Sequence, residues 1–437
     1  MVLAIFFAWV VTRTDTPWRG GLEIAIWMIF LSLPLLPTTV AWTLLAGPKG
    51  FLNQALMALL GLENPPLNIY SYGGIIWVSV SFWVSIAFII ITPAFRGMDA
   101  TLEESSRMAG ATTAATLRRI TVPLLTPAIL GTSLLTFVRM LESFEIELIL
   151  GYPARIYVFT TRIWSLLGTI PADFPQAMAL SSVFLMAVMG LIFLQWGLVG
   201  QRQYITITGR GFATRPTRLG KWRYVTLGIV LLFFTFAFVL PFLTLILGSF
   251  MRLWGVWSAE PFTLKHWTAA FADPRLLRSL KNTLLVGVGA ATMGMVIYSL
   301  VSYIVVKTNF QGRKALDLIS WLPYAVPSLV LALGFLWAYT GSLPIFAPLF
   351  GTIWLLMMAF IVRGLPLGCQ VMKGAMHQFS SELEESSRVL GASWLYTFRR
   401  IVAPLLSPAF ISAWIILFII AVRDMVTIVV LYMPASR

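Results

Sequence analysis

The sequence has almost none of the residues that build metal centres and disulfide frameworks. Its 437 residues include one cysteine, Cys369, and two histidines, His266 and His377. A single cysteine excludes an intrachain disulfide and a cysteine-based metal cluster. The histidines lie far apart in the sequence, and we interpret each as an interface residue rather than as a metal ligand. The sequence therefore predicts no metal site.

Charged residues are also scarce. They make up 11% of the sequence, and hydrophobic residues make up 59%, whereas a soluble domain carries about 25% charged residues. The apolar runs are long enough for helices of about 20 residues that cross a bilayer. They lack the alternating polarity of barrel strands. This composition predicts an all-α membrane protein and excludes a water-soluble enzyme.

Ten apolar segments are predicted as membrane spans, the first of them incomplete. They lie near residues 1–12, 22–46, 72–95, 124–150, 176–198, 224–250, 281–306, 315–340, 345–365 and 405–432. The first segment lacks the basic leader and cleavage site of a signal peptide, and it is too short to span. We interpret it as the end of a longer helix.

Basic residues predict the orientation of these spans. The net charge is +14, and the loop 201–223 carries six basic residues and no acidic one: Arg202, Arg210, Arg215, Arg218, Lys221 and Arg223. Such loops remain in the cytoplasm. Counting outward from it places the other strongly basic loops on the same side. The positive charge is thus explained by topology, and we expect no nucleic-acid partner.

One charged segment occurs twice. EESSRMAGATTAATLRRITVPLLTPA begins at Glu103, EESSRVLGASWLYTFRRIVAPLLSPA begins at Glu384, and 16 of the 26 aligned positions are identical. A weaker similarity joins VVTRTDTPWRGGLE (10–23) to VVKTNFQGRKALD (305–317). Both copies have the same orientation, which predicts a parallel duplication.

The duplication predicts the domain organisation. The first repeat is 1–200, the basic cytoplasmic linker is 201–223, and the second repeat is 224–437. The first repeat is short at its N-terminus and the second at its C-terminus, so we expect twelve spans in a complete parent protein.

The duplicated segment predicts a helix–turn–helix. Thr101-x-x-Glu104 and Ser381-x-x-Glu384 fit a capping box at a helix start. Gly110 and Gly391 fit the left-handed residue that ends a helix. Thr112 and Ser393 can cap the next helix, and Pro123 and Pro404 fit the first turn of a membrane helix. An amphipathic linker at the membrane surface explains one such copy, but the identity between two copies favours docking of a protein partner.

The spacing E-S-S-x3-G-x9-I-x2-P, at Glu104–Pro123 and Glu385–Pro404, resembles the EAA loop of permease subunits in binding-protein-dependent ABC importers. Two serines replace the usual two alanines in both copies, which keeps these residues small. The stretches NPPLNIYSYGGIIWV, LESFEIELILG and YITITGRG, with two permease domains in one chain, resemble the fused permeases of ferric-iron importers. Relatives of that branch carry thiamine, polyamines or aminoethylphosphonate.

The resemblance implies two parallel-duplicated helical permease domains in the bacterial inner membrane. It implies a periplasmic solute-binding protein, ferric iron as the first candidate solute, and two copies of a cytoplasmic ABC ATPase that bind the ATP. Because GxxxxGK[ST] is absent from the sequence, we expect a transport subunit that has no cofactor and no ATPase site of its own. The ATPase-coupling residues carried over from the family are Glu103, Glu104, Ser105, Ser106, Gly110, Ile120, Pro123, Glu384, Glu385, Ser386, Ser387, Gly391, Ile401 and Pro404.

A second candidate set consists of charged residues near the predicted outer ends of two spans: Arg139, Glu142, Glu145, Glu147, Arg423 and Asp424. Ionisable residues at such depth usually face a cavity or a partner. Two interpretations stay open, a solvated helix end with local pairing of Arg139 and Glu142, or a pathway lining or binding-protein contact. For Arg363 we favour a pairing role at a helix kink.

Two other classes of function compete with this interpretation. An ion-coupled secondary transporter can also have parallel repeats, but duplicated cytoplasmic docking segments have no evident role in it. A membrane enzyme would require a cluster of catalytic residues within the spans, and the sequence shows no such cluster.

Overall fold

A computed structural model of the protein describes residues 1–32, 34–98, 101–199, 216–256, 261–338, 348–349, 351–378, 386–387 and 389–431. The helices within these ranges are α1 Val2–Arg13, α2 Arg19–Ser32, α3 Leu35–Ala46, α4 Phe51–Leu60, α5 Tyr72–Gly97, α6 Thr101–Met108, α7 Thr113–Thr116, α8 Val122–Leu141, α9 Phe159–Leu167, α10 Phe174–Val199, α11 Trp222–Phe234, α12 Leu240–Phe250, α13 Lys265–Ala272, α14 Pro274–Lys307, α15 Arg313–Ala325, α16 Ser328–Trp337, α17 Ile353–His377, α18 Trp394–Thr397, α19 Ala403–Arg423 and α20 Val426–Leu431. Among the described residues, β structure is limited to isolated bridges. The prediction of an all-α membrane protein is confirmed.

Seven helices of the described chain are long and apolar enough to cross a membrane. They are Tyr72–Gly97, Thr113–Leu141, Phe174–Leu194, Trp222–Phe250, Pro274–Lys307, Ile353–His377 and Phe398–Arg423. Two bent pairs, α2 with α3–α4 and α15 with α16, raise the number to nine if each pair is one span. The segment α1 is apolar but only 12 residues long. The number of spans, ten here and twelve in a parent protein, stays a prediction.

Two predicted spans, 22–46 and 315–340, are sharply bent. The first pair of helices turns by 98° and the second by 107°. Pro34 is the N-cap of α3 and Pro327 is the N-cap of α16. Proline lacks an amide hydrogen and pushes the preceding residue out of the helical conformation. Val326 accordingly has an extended backbone, and each of these two predicted spans is therefore bent rather than straight.

The predicted spans 124–150 and 405–432 also need correction. Each helix begins earlier, in Thr113–Leu141 and Phe398–Arg423, and ends before the predicted limit. Past Leu141 the chain leaves the helix and re-enters it in a π-helical turn, Glu147–Gly151. The predicted span 345–365 lies later in the chain, within α17.

The described residues form two compact units, the first comprising Met1–Thr169 and Gly190–Thr268. In this unit α1 packs along α5, with Phe7, Phe88 and Phe95 fully buried. Helix α8 also packs on α5, and α12 packs on α3. Burial of these apolar side chains is the main force that holds the bundle together.

The end of the predicted linker lies against the turn between α1 and α2. Thr217 donates its amide hydrogen to the carbonyl of Arg13 at 2.8 Å, and Leu219 donates to the Asp15 carboxylate at 2.8 Å. Arg202, Arg210 and Arg215 of this linker lie outside the described residues. Helices α1 and α5 end, and α11 begins, at the basic end of the unit that we predicted to be cytoplasmic.

The second unit comprises Ile170–Met189 and Ala269–Arg437. Here α14 packs on α17 and α19, and α16 packs on α20. Tyr298 is buried and donates to the carbonyl of Ile361 at 2.5 Å. A methyl group at Gly368 would lie 2.1 Å from the Tyr298 ring, so glycine permits this close approach. These units describe packing, and the repeat boundaries at 200 and 224 stay predictions.

Candidate functional site

The first copy of the duplicated segment, residues 101–123, is named the first elbow. It consists of α6, a turn at Gly110, α7, and a π-helical turn, Leu117–Thr121, that continues into α8. Gly110 has φ +85°, a left-handed conformation that glycine adopts at little cost. The hydroxyl of Thr112 accepts a hydrogen bond from the Ala115 amide at 3.2 Å and caps α7, as predicted.

The second copy, residues 382–404, is named the second elbow; its described residues are 386–387 and 389–404. Gly391 has φ +80°, Ser393 caps α18 by accepting from the Tyr396 amide at 3.3 Å, and a π-helical turn, Phe398–Val402, leads into α19. Ser381, Glu384 and Glu385 lie outside the described residues. The local geometry of the two elbows therefore agrees wherever both are described.

A pair of hydroxyl groups closes each elbow. The hydroxyls of Ser106 and Thr116 lie 3.0 Å apart, and those of Ser387 and Thr397 lie 2.8 Å apart. The second serine of each Ser-Ser pair thus turns inward, while Ser105 and Ser386 are exposed. From the sequence, both serines of each pair are expected only to be small enough for the close approach of a partner. The partners Thr116 and Thr397 were missed, although threonine occupies this position in both copies.

The outer surface of each elbow is apolar at its tip. Met108 is 89% exposed in the first elbow, and Val389 and Leu390 are each 87% exposed in the second. The second elbow also borders a concavity of about 810 Å³ lined by Ser386, Ser387, Leu390, Gly391, Ala392, Ser393, Tyr396, Arg400 and Ile401. Large exposed apolar side chains beside a concave surface are typical of a protein interaction site.

The remaining elbow residues are either exposed or half-buried. Arg118 and Arg119, like Arg399 and Arg400, are exposed in the π-helical turns. Pro123 and Pro404 are exposed in the first turns of α8 and α19, and Ile120 and Ile401 are half-buried. Each elbow thus has an outward basic edge and an inward face that leads into a long helix.

Glu103 faces the helical bundle. It is 5% exposed, and its Oε1 accepts a hydrogen bond from Thr121 at 2.6 Å. Its Oε2 lies 3.8 Å from Nη1 of Arg13, the last residue of α1. Glu104, by contrast, is half-buried. Arg13 was missed as a candidate, and its only signal in the sequence is its position in the turn that resembles residues 305–317.

The first group of candidate pathway residues forms local contacts. Arg139 and Glu142 form an ion pair at 2.9 Å, so the predicted local pairing is confirmed. Glu147 is buried and accepts from the Ser143 hydroxyl at 2.7 Å. Burial raises the pKa of Glu147 above its ordinary value, and the hydrogen bond from Ser143 opposes that rise. Glu145 is half-buried.

The second group centres on Asp424 in the other unit. Asp424 is 8% exposed and forms an ion pair with Arg363, which confirms the pairing role expected for Arg363. Its carboxylate also accepts from the Thr427 amide at 2.8 Å and caps α20. Arg423 is half-buried. Within the described part of the chain, no three His, Cys, Asp or Glu side chains lie close enough together to hold a metal ion.

Comparison with known proteins adds a match between part of the chain and a protein family. Residues 290–433, which include most of the second unit and the second elbow, match the family described as binding-protein-dependent transport system inner membrane component. The matched residues make up about a third of the chain, and this part of the chain is similar to the family. The match and the long apolar helices of the described residues agree with a multi-pass protein of the inner membrane.

The chain is similar to proteins named for ferric transport. It is 29% identical over 402 residues to a putative ferric transport system permease protein of Haemophilus influenzae, covering 90% of this chain and 62% of the relative. It is 29% identical over 401 residues to the ferric transport system permease protein of Actinobacillus pleuropneumoniae, covering 90% and 57%. It is 25% identical over 421 residues to a probable ABC transporter permease protein of Sinorhizobium fredii, covering 93% and 72%.

The chain therefore spans about three fifths of the length of the first two relatives. These similarities confirm the resemblance to ferric-type permeases that the duplicated segment and the quoted stretches indicate.

Proposed function

We propose that the chain acts as the membrane permease of an ATP-driven importer, and that its two elbows are docking sites for two copies of a cytoplasmic ABC ATPase. The observation that carries the proposal is the shared geometry of the elbows. Each has a left-handed glycine, a hydroxyl pair and an exposed apolar tip, and each continues without a break into a long apolar helix. A surface for lipid alone requires none of these matched details.

The continuity of each elbow with a membrane helix supports a lever mechanism. The π-helical turn Leu117–Thr121 joins α7 to α8, and Phe398–Val402 joins α18 to α19. A displacement of either tip is therefore carried into a spanning helix. When two ATPase subunits close on ATP and separate after hydrolysis, the two halves of the bundle would tilt and the cavity would open outward to a loaded binding protein.

The energy source lies in the partner. The sequence lacks the GxxxxGK[ST] phosphate loop, whose backbone amides cradle nucleotide phosphates in such ATPases. We therefore assign ATP binding to the partner subunits and expect no cofactor in this chain. The chain itself is a transport subunit and not an enzyme.

Ferric iron is the proposed solute, delivered by a periplasmic binding protein. The support is the ferric transport for which the two relatives that match 90% of the chain are named. The carboxylates of Glu142, Glu145, Glu147 and Asp424 are hard oxygen donors suited to a highly charged cation or its chelate. We propose that these residues, with Arg139 and Arg423, line the path or meet the binding protein.

Photocrosslinking tests the docking proposal. A photoreactive residue replaces Ser105 or Ser386, both exposed on the elbows, in cells that express the whole importer. The expected product is a covalent adduct with the ATPase from either position. The matched control is Phe137 of α8, which is 50% exposed on a spanning helix and should yield only lipid adducts. Adducts with lipid alone from both elbows would refute the proposal.

An ion-coupled secondary transporter remains the alternative function. Uptake of labelled solute in cells that lack the ATPase separates the two. A permease of an ATP-driven importer should then lose uptake, whereas a secondary transporter would retain it and lose it on collapse of the ion gradient.

A further inference from the structure

We propose that Arg13 is a positioning residue that clamps the first elbow to the ends of α1 and α5, so that these elements move together when the elbow is displaced. The inference rests on the proposed function, because it describes how a force applied at the elbow enters the bundle. It goes beyond that function by naming a connection that does not pass through α8.

The first half of the clamp joins α1 to α5. Arg13 is 3% exposed, and its Nη2 donates to the carbonyls of Phe95 and Met98, each at 2.6 Å. These carbonyls belong to the last turn of α5 and the residue that follows it. Carbonyl groups at a helix C-terminus have no partner within the helix and carry partial negative charge. A guanidinium therefore binds well at this position.

The second half joins Arg13 to the elbow. Glu103 lies in the first turn of α6, and its Oε2 is 3.8 Å from Nη1 of Arg13. Thr121, at the end of the π-helical turn, donates to the other carboxylate oxygen at 2.6 Å. The two charged side chains are only 3% and 7% exposed. Glu103 thus connects the start and the end of the elbow to the Arg13 guanidinium, which belongs to α1 and is bound to the end of α5.

Burial makes this connection stiff. Removing one partner of a buried ion pair leaves an uncompensated charge, which is strongly unfavourable. Hydrogen bonds of 2.6 Å hold Arg13 to the end of α5 and Glu103 to Thr121, and the buried ion contact at 3.8 Å joins the two charged groups. Rotation of the elbow independently of α1 and α5 would separate these buried charges, which is unfavourable. A displacement of the elbow is therefore transmitted to α1, α5 and α8 rather than to α8 alone.

The second elbow cannot form the same set of contacts. Val402 occupies the position of Thr121, is 8% exposed, and has no hydroxyl to donate. We infer that the hydrogen bond donated by Thr121 is a property of the first elbow.

The experiment measures coupling in proteoliposomes that contain the whole importer. Arg13→Gln, Glu103→Gln and Thr121→Val each weaken the clamp, and Thr121→Val copies the second elbow with the smallest disturbance. The readout is solute taken up per ATP hydrolysed. The expected result for Glu103→Gln is a fall of about fivefold, within the range for changes along a coupling network. Arg13→Lys should recover part of the loss.

The matched control is another ion pair in the same unit. Arg96 and Glu23 lie 2.6 Å apart, with side chains 57% and 20% exposed, so Glu23→Gln should leave the ratio within about twofold of wild type, since exposed pairs contribute little. Hydrogen exchange of residues 101–116 gives a second readout. It should be faster in Glu103→Gln and Thr121→Val and unchanged in Glu23→Gln.

The outcomes separate this inference from the proposed function. If Ser105 and Ser386 crosslink to the ATPase and wild type couples normally, but Thr121→Val and Glu103→Gln keep the wild-type ratio and exchange rates, the clamp is refuted alone. If Arg13→Gln fails to insert into the membrane, the solute taken up per ATP by Thr121→Val still tests the clamp. If uptake by wild type does not need the ATPase, the proposed function itself is refuted.

Discussion

Ser106 and Thr116 lie ten residues apart in the sequence, yet their hydroxyl groups meet at 3.0 Å across the first elbow. This contact holds α6 against α7, and Ser387 and Thr397 form its equivalent in the second elbow at 2.8 Å. A side-chain hydrogen bond of this kind is worth about 1 kcal/mol. The spacing of the EAA-like loop identifies the two serines in the sequence. The structure adds the two threonines whose hydroxyl groups meet them.

We therefore predict that Ser106→Ala and Thr116→Val each loosen the elbow and reduce ATP-driven uptake. The double variant should be no worse than either single one, because both remove the same bond. Uptake assays and hydrogen exchange of residues 101–116 measure the effect. Ser105→Ala is the matched control, since Ser105 is exposed and does not close the elbow. Additive losses in the double variant would contradict the assignment.

The left-handed glycines give a second prediction. A methyl group at Gly110 or Gly391 would meet no atom within 4 Å, so the cost of Gly→Ala is conformational and amounts to about 1–2 kcal/mol. Gly110→Asn should cost less, because asparagine tolerates this conformation. Among the variants at position 110, uptake should be highest with asparagine, lower with alanine and lowest with valine.

Gly20 supplies the control for this series. It lies in α2 with an ordinary backbone, and nothing lies within 4 Å of a methyl group there. Gly20→Ala should be neutral or slightly stabilising, since alanine is favoured in helices. If Gly20→Ala and Gly110→Ala reduce uptake equally, the left-handed turn has no special role.

Local sequence determined the parts of the fold that were predicted correctly. Low charge and long apolar runs predicted an all-helical membrane protein, and glycine, serine, threonine and proline at fixed spacing predicted the conformation of both elbows. These features depend on residues within one or two turns of each other. The confirmed pair Arg139–Glu142 is equally local.

Long-range contacts account for most of what was missed. Arg13 meets Glu103 across many intervening residues, and composition contains no signal for such a pairing. The bends at Pro34 and Pro327 were visible as prolines, but hydropathy averaged over a window conceals a break in direction. The early helix ends at Leu141 and Arg423 were missed for the same reason, since apolar residues continue past them.

The two elbow tips differ in composition, which gives a third prediction. Tyr396 is 58% exposed in the second elbow, and Ala115 occupies the aligned position in the first. Burial of a large apolar side chain contributes about 1.5–3 kcal/mol. Tyr396→Ala should therefore weaken ATPase binding about tenfold, measured as the ATPase concentration that gives half-maximal crosslinking at Ser386.

Two further variants test this asymmetry. Ala115→Tyr should strengthen binding at the first elbow, measured by crosslinking at Ser105. Tyr224→Ala is the control, because Tyr224 is 57% exposed on α11 and lies outside both elbows. Equal weakening by Tyr396→Ala and Tyr224→Ala would show that the tyrosine at the elbow is not a docking contact.

Asp424 gives the last prediction, because it has two separable roles. It forms an ion pair with Arg363 and caps α20 through the Thr427 amide. Asp424→Asn keeps an oxygen for the cap but removes the charge, whereas Asp424→Ala removes both. Loss of the charge should destabilise the protein by about 1–3 kcal/mol, below the cost of breaking a fully buried pair, since the Arg363 side chain is 29% exposed.

Thermal unfolding in detergent should rank wild type above Asp424→Asn and Asp424→Asn above Asp424→Ala. The free energy of unfolding should differ between Asp424→Asn and Asp424→Ala by about 1 kcal/mol, the usual value of a helix cap. Pairing Asp424→Asn with Arg363→Met should recover part of the loss, because no buried charge is then left alone. If the double variant is as unstable as the sum of the single changes, the ion pair contributes nothing and Asp424 acts only as a cap.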